Sequence, residues 1–168
     1  YTTPYELGYD SFTKFDHDFI GKDALQAMQG KTHRTKVTFA WNDDDVKKIW
    51  ASQLAPTGEN YKFIDLPLSN YASSSFDSIL NGGKVVGASM FSGYSWNERT
   101  MLSLGFVEER YAKIGTGVTL VWGEENGGTS KTTVERHKQT EIRVVVGPTP
   151  YAQQARETYQ PSSWRAKA

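Results

Sequence analysis

Residues Gly83–Trp122 read "GKVVGASMFSGYSWNERTMLSLGFVEERYAKIGTGVTLVW", and this stretch decides the fold. A glycine turn at Asn81 to Gly83 feeds Val85 to Phe91, a short apolar and β-branched run that reads as a strand. "TMLSLGFVE" is the next strand, with Met101, Ser103, Gly105 and Val107 facing one way and Leu102, Leu104 and Phe106 the other. "GTGVTLVWG" follows, then a turn in "EENGGTSKT", then "TEIRVVVG". The strands recur at about ten-residue spacing and are joined by turns, with no crossover helix between them. Each has one face to bury, and closure removes exposed edges, so the pattern predicts an antiparallel sandwich or small barrel.

Upstream the grammar is mixed. "DHDFIGKDALQAMQG" has an aspartate start, Ala24, Leu25 and Met28 at helical spacing and Gly30 as a stop, which predicts a short helix from Gly21 to Gln29. "RTKVTFAW" alternates, with Val37, Phe39 and Trp41 on one side, and reads as a strand. In "NDDDVKKIWASQLA", Asn42 or Asp43 can cap a helix whose Val46, Ile49, Trp50 and Leu54 form an apolar stripe. Its three aspartates suit the positive end of the helix dipole and need no cation. Pro56 to Ser78 is rich in Pro, Ser, Asn and Tyr with little periodicity, and reads as a long loop.

Composition excludes several classes. The 168 residues carry 19 basic and 19 acidic side chains, so there is no electrostatic footprint for nucleic acid or an anionic membrane, and neither is expected as a partner. No apolar run approaches the length of a spanning helix. With no cysteine, disulfides, thiolate catalysis and cysteine-ligated metal are excluded. His17, His33 and His137 are scattered and read as surface or capping residues, not metal ligands. The chain opens "YTTPYELGYD" without an initiator methionine, which suggests a piece of a longer protein.

The order of these features resembles a family. "TTPYELGY" precedes "DFIGKDAL", a divergent middle follows, and then come the Gly83–Trp122 stretch and "ERHKQTEIRVVVGPTPY". The matching positions are Thr2, Thr3, Pro4, Glu6, Asp18, Phe19, Ile20, Gly21, Ala24 and Leu25, then Gly83, Val86, Gly87 and Ser92 to Ser95. They continue through Leu104, Phe106, Val107, Gly115, Thr116, Pro150 and Tyr151. Together they resemble the C-terminal part of the aminomethyltransferase family, which includes the T-protein of glycine cleavage. Trp96 stands where the family has a proline, "NERT" replaces a leucine-glycine-lysine stretch, and the middle is longer than in T-protein. A long middle with a tryptophan-aspartate helix is similar to the branch that removes methyl groups from methoxylated aromatic acids, of the vanillate and syringate type, and passes them to tetrahydrofolate.

The resemblance implies a mainly β (α+β) fold, with an antiparallel six-stranded Greek-key-like barrel preceded by one or two helices. It divides the chain into a linker over 1–17, helices, one strand and a long loop over 18–80, barrel strands over 81–152 and a tail over 153–168. It also implies a cytoplasmic enzyme whose folate-binding domain, with the catalytic groups, corresponds to sequence upstream of Tyr1. No catalytic residue is therefore expected here, and the 168 residues alone are expected to be catalytically silent. Four residues are candidates for contact with tetrahydrofolate: Lys14 and Arg156 for its anionic glutamate tail, and Tyr94 and Trp96 for a flat pterin or aromatic acid.

Tyr94 and Trp96 have a second reading. Ser92 and Gly93 make a tight turn, Gly93 supplies a φ that other residues resist, and the two rings cover the barrel's open end as lids. Two other functions stay open: an aminomethyltransferase of the glycine cleavage type, and a non-catalytic β-barrel for ligand binding or domain packing, for which an aromatic content of 13% supplies contact area.

Overall fold

The computed structural model describes residues 2–66, 76–128 and 134–158. The loop read over Pro56–Ser78, the turn from Glu124 and the tail over 153–168 lie partly outside the described residues. Six strands form a closed barrel: β1 (Arg34–Trp41), β2 (Asp77–Asn81), β3 (Lys84–Ser95), β4 (Thr100–Glu108), β5 (Gly117–Trp122) and β6 (Thr140–Gly147). Around the barrel the order is β1-β4-β3-β2-β5-β6, and every neighbouring pair is antiparallel. The meander β2-β3-β4, with β1 returning beside β4 and β5 beside β2, is a Greek key on both flanks. Helices α1 (Lys22–Met28), α2 (Asp43–Gln53) and α3 (Gln153–Glu157) lie outside the sheet.

The predicted alternation is what fills the barrel. Val37, Phe39 and Trp41 of β1 are buried with Met101 and Val107 of β4, Leu120 and Trp122 of β5, and Ile142, Val144 and Val146 of β6. Trp41 and Trp122 meet edge to face at 5.3 Å. Trp41 donates its indole N–H to Ser103 Oγ (3.0 Å), and Ser89 Oγ bonds the same hydroxyl (2.7 Å), so the polar atoms inside the barrel are paired.

Strand β2 was not foreseen. It starts at Asp77, inside the stretch whose polar composition reads as loop, and only Ile79 is completely buried. Its hairpin to β3 is the expected glycine turn, with Gly82 and Gly83 both at positive φ (55° and 77°) as a two-residue turn requires. The turn expected at Ser92 and Gly93 is not there. Both residues lie inside β3, where Gly93 pairs with Leu102, and the chain reverses over residues 96–99, where Arg99 takes the positive φ (53°). The stripe on α2 also needs correction: Ile49 is buried, but Leu54, just past the helix end, is exposed.

Helix α2 is fastened to β6 at its first turn. Asn42 Oδ1 accepts the backbone N–H groups of Asp44 and Asp45 (3.1 and 3.2 Å) and a guanidinium N–H of Arg143 (2.8 Å). Arg143 also grips Asp45 through two nitrogens, at 2.9 Å each, and holds that carboxyl below its ordinary value. Asn42→Ala removes the cap and an Arg143 acceptor together. It is expected to cost about 1–2 kcal/mol, read as a fall in midpoint on urea unfolding with the slope unchanged.

Candidate functional site

A groove of about 330 Å3 runs along the outside of the barrel where β3 and β4 meet the segment after β6. Phe91, Gly93 and Tyr94 line it from β3, Leu102 and Leu104 from β4, and Tyr151 from beyond β6. Leu102 and Leu104 are outward residues of a strand whose other face fills the core. Tyr94 pairs across the strands with Met101 and packs partly against the core. Trp96 stands on the β3–β4 turn, 76% exposed, with its ring edge-on to Tyr94 at 6.3 Å.

Tyr151 is fixed from several sides. Its ring lies across Gly147, where an added Cβ would stand 2.8 Å from Tyr151 Cε2. The preceding Thr149 shares a hydroxyl hydrogen bond with Thr38 of β1 (3.0 Å). Arg156 on α3 donates from Nη1 to the carbonyls of Pro150 (2.8 Å) and Tyr151. That nitrogen is committed to the backbone, so a ligand carboxylate would have to be met by another edge of the guanidinium.

Of the residues singled out from sequence, Tyr94 lines the groove, Trp96 touches Tyr94 from the β3–β4 turn but does not line the groove, and Arg156 clips its far wall. Lys14 is exposed on the segment leading to α1 and does not line this groove. Phe91 and Tyr151 were not foreseen as site residues. Tyr151 was visible as the end of a motif, but its role depends on the chain folding back over Gly147.

A second groove, of about 560 Å3, lies beside the first and shares Pro150 with it. Tyr5 and His33 are stacked there at 4.7 Å, with Lys31, Lys36, Asp10 and Glu109 at its walls. Behind it the "TTPYE" motif makes a compact knot. Glu6 accepts from the backbone N–H (2.8 Å) and hydroxyl (3.2 Å) of Thr3 and from Arg34 Nε, and the Arg34 guanidinium lies 4.1 Å over the Phe106 ring. Burial pushes the Glu6 carboxyl up, but Arg34 and Thr3 together outweigh it and hold it below its ordinary value.

Of the two roles expected, surface or capping, His137 is not a surface residue: it is 8% exposed and bonds loop backbone. Nε2 accepts the Glu124 backbone N–H (2.7 Å) and Nδ1 faces the Glu135 carbonyl (2.8 Å), so the ring ties the backbone at Glu124 to that at Glu135. Among the described residues no group of three metal-ligating side chains comes together, and no helix is long and apolar enough to cross a membrane.

No model of a protein family matches the chain. It is 48% identical to syringate O-demethylase of Sphingobium sp. over 165 residues, 98% of this chain and 35% of that protein. It is 38% identical to sesamin methylene transferase of Sinomonas sp. over 160 residues, 90% of this chain and 33% of that protein. The chain therefore spans about a third of the length of the curated relatives it matches. It belongs to the family of these two enzymes.

Proposed function

We propose that the chain is the C-terminal barrel of a tetrahydrofolate-dependent O-demethylase that takes a methyl group from a methoxylated aromatic acid of the syringate or vanillate type. The observation that carries this reading is the 48% identity to syringate O-demethylase, which runs through 98% of the chain. Tetrahydrofolate supplies the acceptor for the methyl group. An apolar groove lined by Phe91, Leu104 and Tyr151 has the chemistry to rest against a planar ring, whether of the folate or of the aromatic acid. A methylene donor is the second reading, favoured by the name of the relative at 38% identity.

In this reading the barrel positions and encloses, and the charge on the departing phenolic oxygen is met by groups elsewhere in the enzyme. The remaining part of the protein, with its folate-binding domain, packs over outward apolar residues such as Val85 and Val145, which are 65% and 46% exposed. The enzyme is cytoplasmic. Tyr94 and Trp96 give ring faces to the ligand, while Lys14 and the outer edge of Arg156 meet the glutamate tail of the folate.

The full-length protein should form methyl-tetrahydrofolate from syringate or vanillate, and the 168 residues alone should not. Absence of product from the full-length protein with both acids would sink the reading. Lys14→Ala and Arg156→Ala in the full-length enzyme should each raise KM for tetrahydrofolate roughly threefold to tenfold, and Lys14→Ala, outside the groove, should leave KM for the aromatic acid in place. An unchanged folate KM removes that residue from the site.

A further inference from the structure

Strand β3 contains a residue that its own pattern would bury. Gly87 and Ser89 pair with the inward residues Val107 and Gly105 of β4, so a strict two-residue period would put Phe91 inside the barrel as well. The register instead jumps from the Met90–Leu104 pair to the Ser92–Ser103 pair. Ser92 takes the buried place, 7% exposed, and Phe91 is turned out to 43%. Its φ is 50°, in the left-handed region that disfavours a bulky side chain. A glycine would make the same bulge without strain. A phenylalanine held there points to a use for the ring, because bulges re-aim side chains beside functional sites and strain persists where surroundings enforce it.

We propose that Phe91 and Tyr151 are the two walls of a clamp for one planar aromatic ring and set the width of ring that the groove accepts. The bulge brings Phe91 to the groove from β3. Tyr151 comes to it from beyond β6 and is preorganised by Gly147 beneath it and by Arg156 Nη1 across its backbone. Leu102 and Leu104 form an apolar floor. A volume of about 330 Å3 is at the lower end for ligand cavities, suited to one ring system and not to an elongated ligand as a whole. Substituted benzoates and reduced pterins share this planar chemistry. The choice of syringate and tetrahydrofolate as probes rests on the demethylase reading.

Calorimetric titration of the full-length protein with each probe separates these sources. Phe91→Gly removes the ring and suits the φ, so its melting temperature should not fall. Tyr151→Leu removes the opposite ring, and Tyr151→Phe, which keeps it, is the control. Phe91→Gly and Tyr151→Leu should weaken the same probe about tenfold or more and leave the other within about twofold, with Tyr151→Phe binding like wild type. Loss of syringate binding assigns the clamp to the donor ring, and loss of tetrahydrofolate binding assigns it to the pterin. The clamp is overturned if both variants bind both probes as wild type does, if the two variants lose different probes, or if the wild type binds neither. Turnover plays no part in this readout. A protein that binds syringate through the clamp without transferring methyl would sink the demethylase reading alone.

Discussion

Gly105→Ala is expected to lower the melting temperature by roughly 6–12 °C, the counterpart of about 3 kcal/mol in a chain of this length. Gly105 lies inside the barrel opposite Ser89. An added Cβ would stand 2.2 Å from the Ala88 carbonyl oxygen, 2.6 Å from Phe39 Cε2 and 3.1 Å from Ser89 Cα. Phe39 is completely buried and has no open space to swing into. The carbonyl oxygen belongs to the β3–β4 ladder, so it can move only if the two strands part. Gly87 is in the same position from the other strand, with a Cβ 2.2 Å from the Phe106 carbonyl oxygen. Neither glycine takes a positive φ, so the requirement is for space, not for backbone freedom. Gly117→Ala on β5 is the matched control: it too has an ordinary φ, and nothing lies within 4 Å of its added Cβ. It should change the melting temperature by less than about 2 °C. Thermal unfolding followed by circular dichroism checks both, and a Gly105→Ala protein that melts with the control would show that the barrel relaxes around a methyl group.

These glycines also mark how far sequence pattern reaches. Gly105 was legible as an inward residue because β4 alternates without interruption from Met101 to Val107. Alternation in β1 worked for the same reason, β5 and β6 were legible as strands, and the glycine hairpin at residues 82–83 was legible from its turn residues. Strand β2 was not legible: with Asp77 and Asn81 at its ends it offers one completely buried side chain, Ile79, to a period-two count. The candidate groove failed differently. Counting by twos from Ser89 sends Phe91 inward and Tyr94 outward, the reverse of what a one-residue bulge produces. That bulge answers to the pairing partner and leaves no mark in the strand's own residues. Arg156 was recognised as a guanidinium able to grip oxygens, but which oxygens it grips depends on a chain reversal over Gly147 that local pattern does not encode.

Glu6 offers the second large effect, and one that pH can isolate. It is buried to 8% exposure and accepts from Thr3 twice and from Arg34. Arg34 in turn covers Phe106, so one carboxylate joins the first turn of the chain to β1 and β4. Removing one partner of a fully buried pair costs about 3–5 kcal/mol. The Arg34 side chain is 36% exposed, and water can take up part of its charge, so Glu6→Gln should cost about 2 kcal/mol near neutral pH. The sign of the pH dependence follows from the carboxyl being held below its ordinary value of 4.5. The unfolded chain takes up the proton first, so the stabilisation is complete above that value and is lost as pH falls through the lower folded value. The gap in unfolding free energy between wild type and Glu6→Gln should therefore be constant from pH 7 to about 5, begin to close below about 4.5, and shrink steadily in more acid solution. Denaturant unfolding at a series of pH values measures it. A gap that stays constant into strong acid would mean that the glutamine loses shape or hydrogen bonds alone, and that the charge on Glu6 does not hold Thr3 and Arg34 together.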